Sequence, residues 1–235
     1  SGSALGLLQR FAAFSPPAFQ RNPNRGQRMI SVREASRLVA RSCFPHRALP
    51  SVVTAFVTHR CNADCSFCFF SDSLNVPVTE LTVDEWTRIA SSIGRPSLLI
   101  ITGGEPFLRT DLHEIVHGFS SVAKVPRVSI PTNGSFPDRI ETAVHRILQN
   151  TDLKSLCISF SIDGIGATHD GLRKLPGSFD RICQGFRRLK PLKESYGDRL
   201  VLHTASVYSA LTQGHIEELV RWIETELDPD TMGLT

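Results

Sequence analysis

The sequence predicts an α/β fold of parallel strands with helices outside, and three observations predict it. After Pro50, short aliphatic or β-branched runs alternate with longer amphipathic segments. The run Leu98-Leu99-Ile100-Ile101 carries no polar alternation, which is what a strand buried on both faces requires. The strands also end in polar or glycine-rich loops, at the carboxyl edge where βα architectures bind ligands. Repeated βα units leave two arrangements open, an open doubly wound sheet and a closed or partly closed barrel.

The strands are expected at Val52 to Thr58, Ser97 to Thr102, Arg127 to Pro131, Ser155 to Ile162 and Leu200 to Val207. Helices are expected at Val83 to Ile93, Asp111 to Val122, Pro137 to Gln149, Phe179 to Glu194 and Gln213 to Glu226. The first of these opens on a capping box, Thr82 to Glu85, in which each residue's side chain satisfies the other's backbone N–H. A sixth strand would begin near Met232, where the chain stops, so the last unit is expected to be truncated.

The chain divides by charge. Residues 1–60 hold nine Arg, no Lys and one acid, Glu34, while the remainder is net acidic. Residues 1–50 therefore read as a basic arm and linker, and 51–235 as the core domain. Within the arm, Leu7, Leu8, Phe11 and Phe14 recur at helical spacing over Ala4 to Phe14, before Pro16-Pro17 breaks the pattern. A second capping box, Ser31 to Glu34, opens a helix to about Cys43, stopped by Pro45. Ser1-Gly2-Ser3 lacks an initiator Met and reads as a trimmed edge. An Arg-rich, acid-poor leader is also what a mitochondrial transit peptide looks like, but a basic arm docking on its own domain is the commoner explanation. A composition of 41% hydrophobic and 21% charged residues excludes disorder and fibrous classes. No apolar run approaches the length of a membrane span.

Six cysteines are too sparse for a disulfide-stapled scaffold, yet three of them, Cys61, Cys65 and Cys68, fall within eight positions as C-x3-C-x2-C. Thiolates at this spacing on a curved loop can converge on one inorganic centre. Structural zinc wants four ligands, usually in two separated pairs, and no second C-x2-C pair exists; His59 lies too near Cys61 to reach easily. A four-iron four-sulfur cluster on three thiolates keeps one iron open for substrate or cofactor. Cys43, Cys157 and Cys183 lack ligand spacing and read as buried small hydrophobes.

With an aromatic, Phe67, before the last of these cysteines and Gly103-Gly104-Glu105-Pro106 after the next strand, the chain resembles a radical SAM enzyme. Ser161-Ile162-Asp163-Gly164, then His169-Asp170 with Arg173, and Gly177-Ser178-Phe179-Asp180 further resemble the subgroup carrying a SPASM or twitch extension. The resemblance covers about residues 52–235. It implies a partial (β/α)6 barrel, a 4Fe-4S cluster on Cys61, Cys65 and Cys68, and S-adenosylmethionine chelating the open iron. It also implies an electron donor such as flavodoxin or ferredoxin, and a small-molecule or peptide substrate attacked by a 5′-deoxyadenosyl radical.

In those roles the residues make chemical sense. Gly103 and Gly104 let backbone approach the methionyl moiety, and the turn through Glu105 and Pro106 offers acceptors to its ammonium. Ser161 and Arg173 match positions holding the cofactor's carboxylate or ribose, an Arg fork suiting a carboxylate. Thr132 and Asn133 offer polar contacts on the third loop, and Asp163 orients its turn. Phe67, Phe69 and Phe70 would shield the cluster from water. An oxygen-sensitive cluster implies a reducing, cytoplasmic setting. The sequence supports no auxiliary cluster.

Two other readings compete. A zinc or iron-sulfur binding module with a basic interaction arm would leave the Gly103 to Pro106 and Ser161 to Arg173 segments unexplained, and the acidic body opposes phosphate, so nucleic acid is not an expected partner. A dinucleotide-binding oxidoreductase lacks its G-x-G-x-x-G after the first strand.

Overall fold

The computed structural model describes residues 49–235. The two helices expected in the arm and the Ser31 capping box lie outside the described residues. Six strands pair in chain order and all in parallel: β1 (Val52–Thr58), β2 (Leu98–Gly103), β3 (Arg127–Thr132), β4 (Ser155–Ser161), β5 (Leu200–Ser206) and β6 (Thr231–Leu234). Unbroken chain order is the winding of a barrel, since a doubly wound sheet reverses its strand order part-way. The sheet is accordingly a partial (β/α)6 barrel. Its crossovers carry α1 (Val83–Ser92), α2 (Leu112–Val122), α3 (Pro137–Asn150), α4 (Ala167–Arg173), α5 (Ser178–Leu189), α6 (Leu192–Tyr196) and α7 (Ile216–Trp222). None of the described helices is long and apolar enough to cross a membrane.

The pleat sorts each strand into two faces. Leu99 and Ile101, Val128 and Ile130, and Leu156, Ile158 and Phe160 point at the helices and are almost fully buried. Their alternates point into the concave face and, apart from the buried Ser159, stay half-covered, while on β1 Val52 at 48% and Phe56 at 42% exposure are open. The uniform hydrophobicity of Leu98 to Ile101 therefore marks a strand buried on its helix face and half-buried on the other. Near the carboxyl edge the register aligns Phe56 with Thr102, and Pro131 with Ser159, His203 and Thr231. Six strands leave a bowl rather than a filled barrel.

The Thr82 capping box forms as expected, Thr82 Oγ1 accepting from the Glu85 N–H at 3.3 Å and Glu85 accepting from the Thr82 N–H at 2.8 Å. Three helical expectations change. The helix expected through Glu194 ends at Leu189 and restarts at Leu192, because Pro191 has no N–H to continue the ladder. The helix expected over Gln213 to Glu226 begins at Ile216 and finishes as a π-helical turn, Ile223–Leu227. The sequence between β4 and α5 folds as a further helix, α4, set between Gly166 and a left-handed Lys174. β6 begins at Thr231 and pairs with β5, His203 opposite Thr231.

Phe160 of β4 meets Phe186 of α5 edge to face, with centroids 5.3 Å apart. Phe160→Ala is expected to cost about 3–5 kcal/mol, read as a fall in the urea midpoint. An unchanged midpoint would show that this contact does not anchor α5.

Candidate active site

The three-cysteine loop follows β1 and has little structure of its own. Thr58 ends β1 with its hydroxyl bonded to Glu80 and accepting the Arg60 N–H at 3.0 Å. Asn75, at φ 57°, clamps the loop's base: its Oδ1 accepts from the Cys61 N–H and its Nδ2 donates to the Cys61 carbonyl, both at 3.0 Å. The far side docks on the last turn of α4, where the carbonyls of Leu172 and Arg173 accept from the N–H groups of Ser66 at 2.9 Å and Asp64 at 3.3 Å. Those carbonyls are ones a helix leaves unpaired at its end.

All three sulfurs are partly covered. Burial pushes the Cys61 thiol up to about 11, the Ala63 N–H opposing, with Glu105, Cys65 and Cys68 adding to the rise. Burial also raises Cys65, and the Arg173 guanidinium is what opposes it. Among the described residues no three His, Cys, Asp or Glu side chains crowd closely enough to share one ion. By its chemistry the donor set, three thiols on one loop, suits a cluster that keeps one iron open better than it suits a four-ligand zinc site. Loading it removes thiol protons.

The loop after β2 is threaded against the cysteine loop. The Gly104 N–H donates to the Thr58 carbonyl at 2.9 Å and the Glu105 N–H to the Arg60 carbonyl at 2.8 Å. A Cβ on Gly103, at φ 138°, would lie 2.2 Å from the Thr58 oxygen, and one on Gly104 2.2 Å from the Arg60 oxygen and 3.0 Å from the Cys61 Cβ. The side-chain space these glycines forgo is thus filled by the protein's own backbone. Glu105 is 1% exposed and bridges two strands, accepting from Thr132 Oγ1 at 2.8 Å, the Asn133 N–H at 2.7 Å and the Phe107 N–H at 3.1 Å. Asn133 then donates through Nδ2 to Asn62 Oδ1 at 2.9 Å, closing a chain of contacts back to the cysteine loop.

On the opposite side, Arg173 sits in a helix with its side chain 11% exposed. Its Nε donates to Asp163 Oδ2 at 2.7 Å, Nη2 donates to the same oxygen, and Nη1 donates to Cys65 Sγ at 3.6 Å. The guanidinium also lies over the Phe67 ring, 5.5 Å from its centre. Asp163, fully buried, accepts the Val207 N–H at 2.7 Å through its other oxygen. His169 Nδ1 accepts the Asp163 N–H at 3.2 Å, and burial, aided by Arg173, lowers this imidazole to about 4, so it is neutral. Asp170 caps α5, accepting from the Gly177 N–H, the Ser178 hydroxyl and the Phe179 N–H at 2.6–2.9 Å.

Residues 56–223 match the family model of the Radical SAM superfamily. The chain belongs to the radical SAM superfamily. That family uses a 4Fe-4S cluster and S-adenosylmethionine. The chain is 35% identical over 147 residues to "AdoMet-dependent heme synthase" of Methanosarcina barkeri, covering 60% of this chain and 39% of that protein. It is 32% identical over 148 residues to "Pre-heme d1 synthase" of Dinoroseobacter shibae, covering 61% and 35%. It therefore spans well under half the length of these relatives. SuiB of Streptococcus suis, solved with S-adenosylmethionine, shares the fold at a TM-score of 0.61 and 18% identity, over 98% of this chain and 49% of SuiB.

Cys61, Cys65, Cys68, Gly103 to Pro106, Thr132, Asn133, Ser161 and Arg173 all stand at the carboxyl edge, and all but Cys68, Ser161 and Pro106 take part in the contacts above. Phe67 packs on Arg173 and Phe70 packs on Phe56 and His59, whereas Phe69 meets only Phe70 among the described aromatic rings and is 90% exposed. Cys183 is buried as expected, but Cys157 is half-buried on the concave face; Cys43 lies outside the described residues. Sequence reasoning missed Asn75, whose signal is only a turn-forming residue type. It also missed Arg109, whose fork pairs with Asp111 and whose Nη1 donates to the Val57 and Leu81 carbonyls. His203 went unassigned, although alternation along β5 puts it on the concave face beside Thr231 Oγ1 at 2.8 Å.

Burial raises the Glu105 carboxyl from 4.5 to about 7 against its three donors. The folded state therefore binds more protons than the unfolded chain in that interval, and the stability this lends is complete below 4.5 and lost as pH rises through 7. Glu105→Gln turns an amide N–H2 toward N–H donors and is expected to lose about 1–3 kcal/mol. Its melting temperature should fall less steeply across this pH range than that of the wild type. Parallel melting curves for the two proteins would contradict the assignment.

Proposed function

We propose that this chain is the catalytic core of an enzyme that cleaves S-adenosylmethionine reductively and abstracts hydrogen from an organic substrate. The observation that carries the reading is the C-x3-C-x2-C loop held by the β2 loop on one side and α4 on the other. Cys61, Cys65 and Cys68 would hold three irons of a 4Fe-4S cluster, leaving the fourth for the cofactor. When bound, the pair supplies one electron to the sulfonium, breaking a carbon–sulfur bond to give methionine and a 5′-deoxyadenosyl radical.

The protein's share is to bind, orient and enclose. The backbone of Gly103 and Gly104, and the turn through Glu105 and Pro106, offer carbonyls to an ammonium, while Glu105 fixes the spacing between the β2 and β3 edges. Thr132 and Asn133 border this place on β3, and Ser161 on β4. Arg173 borders it from the cysteine side, its fork already engaged. The substrate would sit on the concave face, where β1 and β2 present Val52, Phe56 and Ile100, and β4 to β6 present Ser159, His203 and Thr231. Such a surface suits a molecule with one apolar side and one hydrogen-bonding side, a biosynthetic intermediate or a peptide. The two relatives named for heme synthesis make iron porphyrins the first compounds to try.

Protein purified without oxygen is expected to be brown, to carry about four irons per chain, and to form 5′-deoxyadenosine and methionine with dithionite and S-adenosylmethionine. Cys65→Ala should abolish the colour and both products. Colourless wild-type protein that takes up stoichiometric zinc after anaerobic reconstitution would instead favour the binding module.

A further inference from the structure

Arg173 has two sides, and they do different things. Nε and Nη2 face Asp163, and Nη1 faces Cys65 Sγ at 3.6 Å, within the range of an N–H···S hydrogen bond. Helix α4 holds the residue there, since the Leu172 and Arg173 carbonyls are bonded to the loop that carries Cys65. Phe67 closes one face of the guanidinium, so the contact lies in a largely dry place. Asp163 is pinned from behind by the Val207 N–H at 2.7 Å. The cation therefore stands between a buried carboxylate and a cysteine sulfur, presenting positive charge to the sulfur.

From this geometry we propose that Arg173 and Asp163 form a charge couple that sets the reduction potential of the cluster on Cys65, the arginine raising it and the aspartate moderating it. The inference rests on the cluster reading above and assigns the pair a task separate from holding cofactor. Reduction adds one negative charge to the cluster. A hydrogen bond to a ligating sulfur and a cation beside it both favour the more negative state, and low exposure strengthens both effects. The carboxylate behind the guanidinium acts in the opposite sense from further away. The fork that the resemblance assigns to the cofactor's carboxylate or ribose here donates, through Nε and Nη2, to one oxygen of the protein's own Asp163.

The couple makes two predictions of opposite sign. The measurement is a redox titration of the reconstituted cluster in the full chain, followed by the electron paramagnetic resonance of the reduced state, with no S-adenosylmethionine present. Arg173→Gln removes the cation and leaves Asp163 charged, so reduction should become at least tenfold less favourable, about 59 mV lower for one electron. Asp163→Asn keeps the shape and frees the cation, so the potential should rise. Arg173→Lys, which keeps charge but loses the fork, should fall between wild type and Arg173→Gln. Equal potentials in wild type and Arg173→Gln, or shifts of one sign in Arg173→Gln and Asp163→Asn, would overturn the proposal. So would a shift that appears only after S-adenosylmethionine is added, which would mark Arg173 as a cofactor clamp. Should Arg173→Gln fail to load iron, Asp163→Asn decides, and an unshifted or lowered potential refutes the couple. Wild-type protein that takes up no iron would sink the cluster reading itself, a result distinct from all of these.

Discussion

A loop with three cysteines cannot hold its own shape, because its backbone makes few bonds within itself and its thiols repel once they lose their protons. In this fold the restraint comes from outside. Asn75 closes the loop at its base, the carbonyls ending α4 receive the N–H groups of Asp64 and Ser66, and Asn62 is tied through Asn133 to β3. The proposed cluster site therefore takes its shape only when β1, β3 and α4 are all in place. A coordination sphere assembled in this way couples loading of metal to completion of the barrel.

The buried Glu105 shows how binding chemistry and architecture share a residue. Its backbone N–H pairs with the Arg60 carbonyl beside the cysteines, and its carboxylate gathers donors from β3. The residue thus fixes the distance between the cysteine loop and the third strand edge. Its backbone remains the part of the β2 turn that faces a ligand in the proposed reading.

Much of this was legible in the sequence. Strand positions came from aliphatic runs whose helix-facing members had to be buried, and the carboxyl edge followed from the order of polar loops. What was hidden depends on distance. Arg173 looks like a loop residue because Gly164, Gly166 and Gly171 disguise the short helix α4, and its partners Asp163 and Cys65 are brought to it only by folding. Arg109 bonds carbonyls of β1 and of the segment before α1, groups that no local pattern marks. The break at Pro191 was visible in principle, since a proline inside a helical pattern removes a bond from the ladder. The openness of the concave face could not be read from hydrophobicity, because a strand half-covered on one side and a strand covered on both have the same composition.

That openness has an evolutionary corollary. Along each strand, one parity of residues is committed to the helices and the other confronts the bowl, so the chain is written in two interleaved alphabets. Changes at Thr54, Ser129, Ser159 or His203 alter what the bowl can hold while leaving the packed layer behind them intact. A catalytic apparatus confined to the rim can then be inherited unchanged while its clientele diversifies, and a mutant library restricted to one parity would explore new substrates without gambling the fold.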